Sequence, residues 1–184
     1  MTKKIGLIIG STRPSRISPS IASWLQAHVA QPGLTIDLID LKTVNLPFLD
    51  EEAMPSDGNY QLDHTKAWST LIQGYDGFIL LFPQYNWGYP APLKNALDTL
   101  YAEWRGKPVS LVSYGGHGGF QAALGMQLVV RGLKMPIMTN NLRIDLKKPD
   151  LDEAGQFIDP ATALAPYEFD AHQLGAEFIH RLGD

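Results

Sequence analysis

The sequence contains no cysteine among its 184 residues. This absence excludes disulfide bonds, thiol catalysis, iron–sulfur clusters and zinc sites built from thiolates. Charged residues are scarce as well, at 18% of the chain against a typical value of about 25%. The net charge of −4 argues against a nucleic-acid-binding protein, which needs a basic surface.

Long apolar runs are also missing. No run approaches the ~20 residues that span a membrane, and the first apolar segment ends at Gly10, too early for a secretory signal. We therefore expect a cytoplasmic protein that associates with no membrane. No histidine-rich or acidic spacing typical of a metal site occurs, and we expect no bound metal.

Short apolar runs alternate with amphipathic segments along the chain, which is typical of strands alternating with helices. The expected strands are 5–9, 34–39, 77–82, 109–113 and 135–138, and the expected helices are 18–31, 65–74, 92–104, 120–132 and 168–182. Segments 42–64 and 140–166 show no clear period. This alternation predicts an α/β fold with a parallel sheet, helices on both faces and the flavodoxin-like strand order 2-1-3-4-5. The length predicts a single domain over residues 1–184.

The loop after the first strand, Gly10 to Ser18, has the composition of a phosphate site. It combines hydroxyls, the guanidiniums of Arg13 and Arg16, and the positive end of a helix. It lacks the lysine of a P-loop and the glycine spacing of a dinucleotide motif, so a monophosphate fits better than a pyrophosphate. The alternative is that Ser18 merely caps the helix.

The loop after the third strand, Pro83 to Pro90, holds three aromatic residues between prolines. A planar heterocycle would stack in such a rigid pocket, with Asn86 and backbone amides at its edge. The alternative is an aromatic loop folded onto the core.

The loop after the fourth strand, Ser113 to Gly119, contains four glycines. Glycines allow the backbone to approach a ligand closely. A flexible turn is the alternative, and contact between His117 and a substrate stays open. A flat ring whose carbonyls accept hydrogen bonds from backbone amides accounts for all three loops.

The three loops together, with the segment that follows the second, resemble the NADPH-dependent FMN reductase family of flavodoxin-like quinone, azo-dye and chromate reductases. The segments that carry the resemblance are 10–13, 83–86, 92–98 and 113–116, and the resemblance covers residues 4 to 139. It implies that FMN is the cofactor, held by residues of each loop. The implied phosphate residues are Ser11, Arg13, Arg16, Ile17 and Ser18; the implied ribityl and ring residues are Pro83, Gln84, Tyr85, Asn86, Trp87, Gly88, Ser113, Tyr114, Gly115 and Gly116.

The chain departs from the family pattern at two places. Many members carry glutamate where Gln84 stands, and many have Ser-x-Asn where this chain has Arg16-Ile17-Ser18. The first difference removes a negative charge close to the expected flavin ring.

The resemblance implies an oxidoreductase that passes hydride from NADPH or NADH through bound FMN to a small electron acceptor, such as a quinone, an azo compound or a free flavin. No side chain is expected to act as a catalytic acid or base, because the flavin carries the redox chemistry. Two alternatives stay open: a flavodoxin-like electron carrier and a flavin redox sensor, each without significant nicotinamide turnover.

The low charge fraction predicts a homodimer or homotetramer. The expected helix 92–104 carries a mixed stripe of Lys94, Asp98, Tyr101 and Arg105, which could pair across a two-fold axis.

Overall fold

Five strands form one parallel sheet in the computed structural model, which describes residues 1–183. In chain order the strands are β1 (Lys3–Ile9), β2 (Leu34–Asp40), β3 (Gly77–Pro83), β4 (Val109–Gly115) and β5 (Leu142–Asp145). They lie side by side in the order β2-β1-β3-β4-β5. The predicted flavodoxin-like order is confirmed. Residue 184, the predicted end of the domain, lies outside the described residues.

Helices cover both faces of this sheet. They are α1 (Ser18–Val29), α2 (Leu41–Val44), α3 (Asp63–Gln73), α4 (Ala91–Asp98), α5 (Phe120–Gly132), α6 (Pro160–Leu164) and α7 (Glu168–Gly183). Alternate residues of β3 supply both cores: Ile79 packs in the core beneath α1 and α7, while Leu80 packs in the core beneath α3, α4 and α5. Burial on both faces explains why β3 is apolar throughout.

The predicted fifth strand at 135–138 is wrong. That segment pairs with the sheet only at a single bridge between Val109 and Ile137, because Pro136 has no N–H to donate to a ladder. The chain pairs fully with β4 only at β5, where Leu142 and Ile144 are buried and the residues between and after them are exposed. This alternation is the pattern of an edge strand with one face on the core.

The predicted helix 92–104 is too long. The α-helical part ends at Asp98, and the following residues form tighter turns. Trp104 is fully buried, and its indole N–H donates to the Leu97 carbonyl at 3.0 Å, so the chain turns inward instead of extending the helix. Tyr101 and Arg105 therefore lie beyond the helix, and the predicted four-residue stripe is not continuous.

The segment 140–166, expected to be irregular, contains β5, α6 and a small hairpin. We call residues 150–158 the 150–158 hairpin. Leu151 pairs with Phe157 across it, and the Ile158 N–H donates to the Asp150 carbonyl at 2.9 Å. Both Leu151 and Phe157 pack against the core beneath α1 and α7. The hairpin is therefore anchored at its base.

Candidate functional site

A cleft of about 260 Å³ opens at the carboxyl ends of β1, β3 and β4, where ligands bind in open α/β sheets. Its volume lies slightly below the ~300–1,000 Å³ of typical ligand sites, so a larger ligand would remain partly exposed. Its walls come from all three loops singled out above and from two later segments. The lining residues are Ser11, Arg13, Ser15, Arg16, Ile17, Pro83, Gln84, Tyr85, Tyr114, Gly115, Leu146, Ala154 and Gly155.

The backbone of the β1 loop presents unused hydrogen-bond donors. Within the described chain, no N–H group of residues 11–17 donates to another protein group. Ser11 and Ile17 are nevertheless buried. Buried N–H groups are nearly always paired in folded proteins. A cluster of free donors before a helix start is therefore suited to an anion.

The two arginines of this loop have different surroundings. Arg16 forms an ion pair with Asp40, at the end of β2, and donates to the Ser11 carbonyl at 2.9 Å. Its charge is thus partly neutralised, and it holds the loop in shape. Arg13 makes no ion pair among the described residues; its guanidinium lies 6.0 Å from the Tyr85 ring centroid. Arg13 is the cation with its charge available to a ligand.

Ser18 does not cap helix α1. It is the first helical residue, Ile17 occupies the N-cap position, and no side chain caps this helix end. The Ser18 Oγ is buried and has no hydrogen-bond partner among the described residues. The capping alternative is therefore wrong.

The aromatic loop turns sharply through two residues with positive φ. Asn86 (φ 48°) and Trp87 (φ 66°) form a two-residue turn, closed by reciprocal backbone hydrogen bonds between Tyr85 and Gly88. This is the type I′ geometry, which favours glycine at its second position. The Trp87 side chain is 73% exposed. A bulky residue held there is strained, and it does not pack on the core, so the core-packing alternative is excluded for Trp87.

The side chain of Gln84 connects the cleft to α5. Its Oε1 accepts a hydrogen bond from the Ala122 N–H in the first turn of that helix, at 3.1 Å. A backbone N–H can only meet the oxygen of the amide, so this contact fixes the orientation of the side chain. A neutral amide therefore stands at this wall of the cleft.

The glycine loop is held from beneath by β4 and β5. The Ser113 hydroxyl donates to the Gly118 carbonyl at 2.6 Å. Gly118 has φ 63°, and a Cβ there would lie 2.8 Å from the Cβ of Arg143. Only glycine fits this position. These two contacts fix the Gly118 end of the loop against β4 and β5.

Tyr114 and Gly115 end β4 at the wall of the cleft. Burial raises the pKa of the Tyr114 hydroxyl to about 12. The phenol therefore stays neutral and able to donate a hydrogen bond over the physiological pH range. No atom lies within 4 Å of a Cβ built on Gly116, so the space above the loop is open to a ligand.

Comparison with known proteins identifies the family. The NADPH-dependent FMN reductase family model matches residues 3–147. An NAD(P)H-dependent FMN reductase of Schizosaccharomyces pombe is 39% identical over 97% of this chain and 90% of its own length. The chain belongs to the NADPH-dependent FMN reductase family. The expected resemblance is thus confirmed, and the chain is an enzyme of the oxidoreductase class.

More distant similarities agree with the fold. A probable NADPH:quinone oxidoreductase of Oryza sativa is 34% identical over 63% of this chain and 60% of its own length. The structure of a flavoenzyme NAD(P)H:(acceptor) oxidoreductase from Paracoccus denitrificans superposes with a TM-score of 0.72 at 19% identity, over 98% of this chain and 97% of that one. At this identity the superposition shows the fold alone.

Within this reductase family member, the cleft gathers most of the residues predicted to hold FMN. Nine of them line it: Ser11, Arg13, Arg16, Ile17, Pro83, Gln84, Tyr85, Tyr114 and Gly115. The others lie beside or beneath it: Ser18 and Ser113 are buried, while Asn86, Trp87, Gly88 and Gly116 lie in the flanking loops outside the lining. Their contacts with the cofactor stay predictions.

Sequence reasoning missed three residues of the cleft, namely Leu146, Ala154 and Gly155; Ser15 lies within the predicted phosphate loop, although it was not named among the residues that hold FMN. Ala154 and Gly155 form the tip of the 150–158 hairpin, beyond the end of the family match at residue 147. One sequence signal could have indicated this hairpin: Asp152 and Gly155 are typical turn residues, and they lie between the apolar residues Leu151 and Phe157.

No helix among residues 1–183 has the length and apolar character needed to cross a membrane. Within the same range, no group of three or more potential ligand side chains is arranged to hold a metal ion.

Proposed function

We propose that this chain binds FMN in the cleft and reduces it with NADPH or NADH. The observation that carries the proposal is the β1 loop, where unpartnered backbone N–H groups and the uncommitted guanidinium of Arg13 meet at one end of the cleft. A cluster of free N–H donors beside a cation at a helix start is suited to a phosphate. Membership of the family supports FMN as the molecule that carries that phosphate.

The part of the cleft lined by Gln84 and Gly115 suits a flat ring, because the glycine loop beside it leaves open space. We propose that backbone N–H groups of the loop that follows β4, beginning at Gly116, donate to the ring carbonyls, with the Gln84 amide as a further neutral contact. Donors placed there would stabilise negative charge on a reduced ring.

When bound, FMN supplies the hydride transfer itself, and the protein supplies position and electrostatics. Trp87 projects from its turn into solvent beside the cleft. We propose that this ring forms one side of an open stacking surface, on which the nicotinamide and then the acceptor lie in turn.

The acceptor is proposed to be a small planar oxidant, such as a quinone, an azo compound or a free flavin. An open surface with few polar groups selects for flatness rather than for a particular substituent. Among these three classes we favour quinones, because the relative from Oryza sativa is named as a quinone oxidoreductase. Assembly into a homodimer or homotetramer is proposed on the low charge fraction alone, since the predicted stripe is not continuous. The extension of one FMN-binding domain over residues 1–184 is proposed from the chain length.

Two measurements test this function. The purified protein should be yellow, and the released chromophore should be FMN. Anaerobic addition of NADPH or NADH should bleach the colour rapidly, and a quinone should restore it. A yellow protein that neither nucleotide bleaches would indicate an electron carrier or a sensor, and a colourless protein that binds no added FMN would overturn the proposal.

A further inference from the structure

The 150–158 hairpin reaches the β1 loop from across the sheet. Its four-residue tip runs from Asp152 to Gly155, which has φ 75°. The tip is closed by hydrogen bonds from the Gly155 N–H to the Asp152 carbonyl at 3.0 Å and from the Gln156 N–H to the Asp152 Oδ1 at 2.8 Å. The tip is thus a defined turn rather than a loose loop.

The tip lies against the end of the cleft where the β1 loop stands. Ala154 and Gly155 line the same cleft as Arg13 and Arg16. The side-chain amide of Gln156 donates to the Ser15 carbonyl at 3.4 Å. Ser15 sits between the two arginines in the chain, so this contact joins the hairpin directly to the loop proposed to hold the phosphate.

The base of the hairpin prevents it from swinging away. Leu151 and Phe157 pack on the core beneath α1 and α7. Immediately after the hairpin, Asp159 caps helix α6 by accepting from the Ala161 N–H at 3.0 Å. Fixed at both its strands and its exit, the hairpin is a wall of the cleft.

Ala154 and Gly155 line the cleft beside the loop that holds Arg13 and Arg16, so a ligand whose terminal phosphate sits in that loop would have the hairpin tip as a neighbour. A mononucleotide ends there and fits. A dinucleotide continues from the same phosphate into a second phosphate and a nucleoside, which would need the space that Ala154 and Gly155 occupy. The tip also carries the exposed residues Asp152 and Glu153, whose negative charges would disfavour a second phosphate placed near them.

We propose that the 150–158 hairpin makes the site selective for a flavin mononucleotide over a flavin dinucleotide, chiefly by blocking the exit behind the phosphate. This inference rests on the proposed function, since it takes the cleft to be the flavin site. It adds a specificity determinant that lies outside the residues matched by the family model.

Calorimetric titration of the full-length apoprotein with FMN and with FAD tests the proposal. The variant replaces the tip residues Asp152, Glu153, Ala154 and Gly155 with the two residues Asn-Gly, which make a shorter hairpin turn. We expect the wild type to prefer FMN, and the shortened variant to lose at least about tenfold of that preference (~1.4 kcal/mol) by binding FAD more tightly. Its affinity for FMN should change less than its affinity for FAD.

Two further variants keep the hairpin length. Asp152→Asn combined with Glu153→Gln removes the charges alone, and it should keep most of the preference because the backbone of the tip is unchanged. Gln156→Ala frees the tip from Ser15 and should shift the preference in the same direction as shortening, by a smaller factor. If the variant with the shortened hairpin fails to fold, the FMN-over-FAD preference of Gln156→Ala still tests the proposal.

Three outcomes are distinguishable. A shortened or Gln156→Ala variant that binds FMN and keeps the full wild-type preference would overturn this inference and leave the proposed function intact. Complete loss of preference in the charge-neutralised variant would contradict the steric account. A wild-type protein that binds neither flavin would overturn the proposed function itself.

Discussion

The hydroxyls of Ser11 and Tyr85 share a hydrogen bond of 2.8 Å. This bond joins the loop after β1 to the loop after β3, although 74 positions separate the two residues in the chain. The Ser11 side chain is fully buried, so the bond fixes the spacing between the two walls of the cleft. A cleft held open in this way needs little rearrangement before a ligand enters.

Removing this bond should weaken FMN binding modestly. A neutral hydrogen bond contributes about 0.5–1.5 kcal/mol, so Ser11→Ala and Tyr85→Phe should each weaken FMN by roughly 2- to 13-fold. The double variant should be no weaker than the poorer single variant, because both changes remove the same bond. Fluorescence titration with FMN measures the three affinities. Fully additive losses would mean that the two hydroxyls act separately.

The ion pair between Arg16 and Asp40 gives a different expectation. Arg16→Ala removes that pair and the bond to the Ser11 carbonyl, so the β1 loop should lose its shape. Thermal denaturation should show a lower Tm, and FMN and riboflavin should both bind more weakly. Lys4→Ala is the matched control, since it removes an exposed pair with Asp37 far from the cleft and should change little. An Arg16→Ala protein with wild-type Tm and wild-type riboflavin affinity would contradict this role.

Replacing Trp87 with glycine should make the protein more stable and less active. A non-glycine residue in the left-handed region costs about 1–3 kcal/mol, so Trp87→Gly should raise the free energy of unfolding. The same change should slow turnover with NADPH and a quinone, because the stacking surface is lost. Lys134→Gly is the control, since Lys134 also has positive φ (59°) but follows the end of α5, away from the loops that flank the cleft.

Urea denaturation and steady-state kinetics distinguish the two effects. Both variants should gain stability, and only Trp87→Gly should lose activity. Unchanged kinetics in Trp87→Gly would remove this ring from the proposed stacking surface.

The fold was predictable where the sequence pattern is dictated by burial alone. The apolar run of β3 requires a strand covered on both faces, and the order of alternating elements then fixes the topology. The errors occurred where one side chain overrides the pattern. Pro136 breaks a plausible edge strand, and the buried Trp104 turns the chain inward at a place where its spacing continues the helix.

The candidate site was predictable to the extent that its residues follow strands directly. The lengths of the three loops and their glycine, aromatic and hydroxyl residues identify the cleft. Two features could not be read from spacing. The pairing of Arg16 with Asp40 depends on which strand lies beside β1. The position of Ala154 and Gly155 in the cleft wall depends on the path of a segment that has no periodicity.

Glu177 should make the stability of the protein depend on acid pH. Burial alone would raise its pKa, but hydrogen bonds from Thr139 and Asn140 outweigh that effect and hold the pKa below the usual 4.5. A depressed pKa means that the carboxylate stabilises the fold above about pH 4.5, and that this contribution disappears as the pH falls through the lowered pKa.

Glu177→Gln tests this expectation. The variant should be less stable than the wild type at pH 7, by about 1–2 kcal/mol for the weakened hydrogen bonds. The difference should shrink as the pH falls through the lowered pKa of Glu177, because the wild-type carboxyl then becomes protonated too. Urea denaturation at pH 7, 5 and 3.5 measures it. A difference that is constant with pH would show that the charge of Glu177 plays no part.

The most direct test of the account compares FMN with riboflavin in Arg13→Ala, because the two flavins share a ring and differ in the phosphate. A charge-assisted hydrogen bond contributes about 1.5–3 kcal/mol, so the variant should bind FMN roughly 10- to 150-fold more weakly. Its affinity for riboflavin should stay at the wild-type value, and Arg131→Ala, which removes a guanidinium from the end of α5, should affect neither. If Arg13→Ala weakens FMN and riboflavin equally, Arg13 supports the loop only, and the phosphate is not held where the account places it.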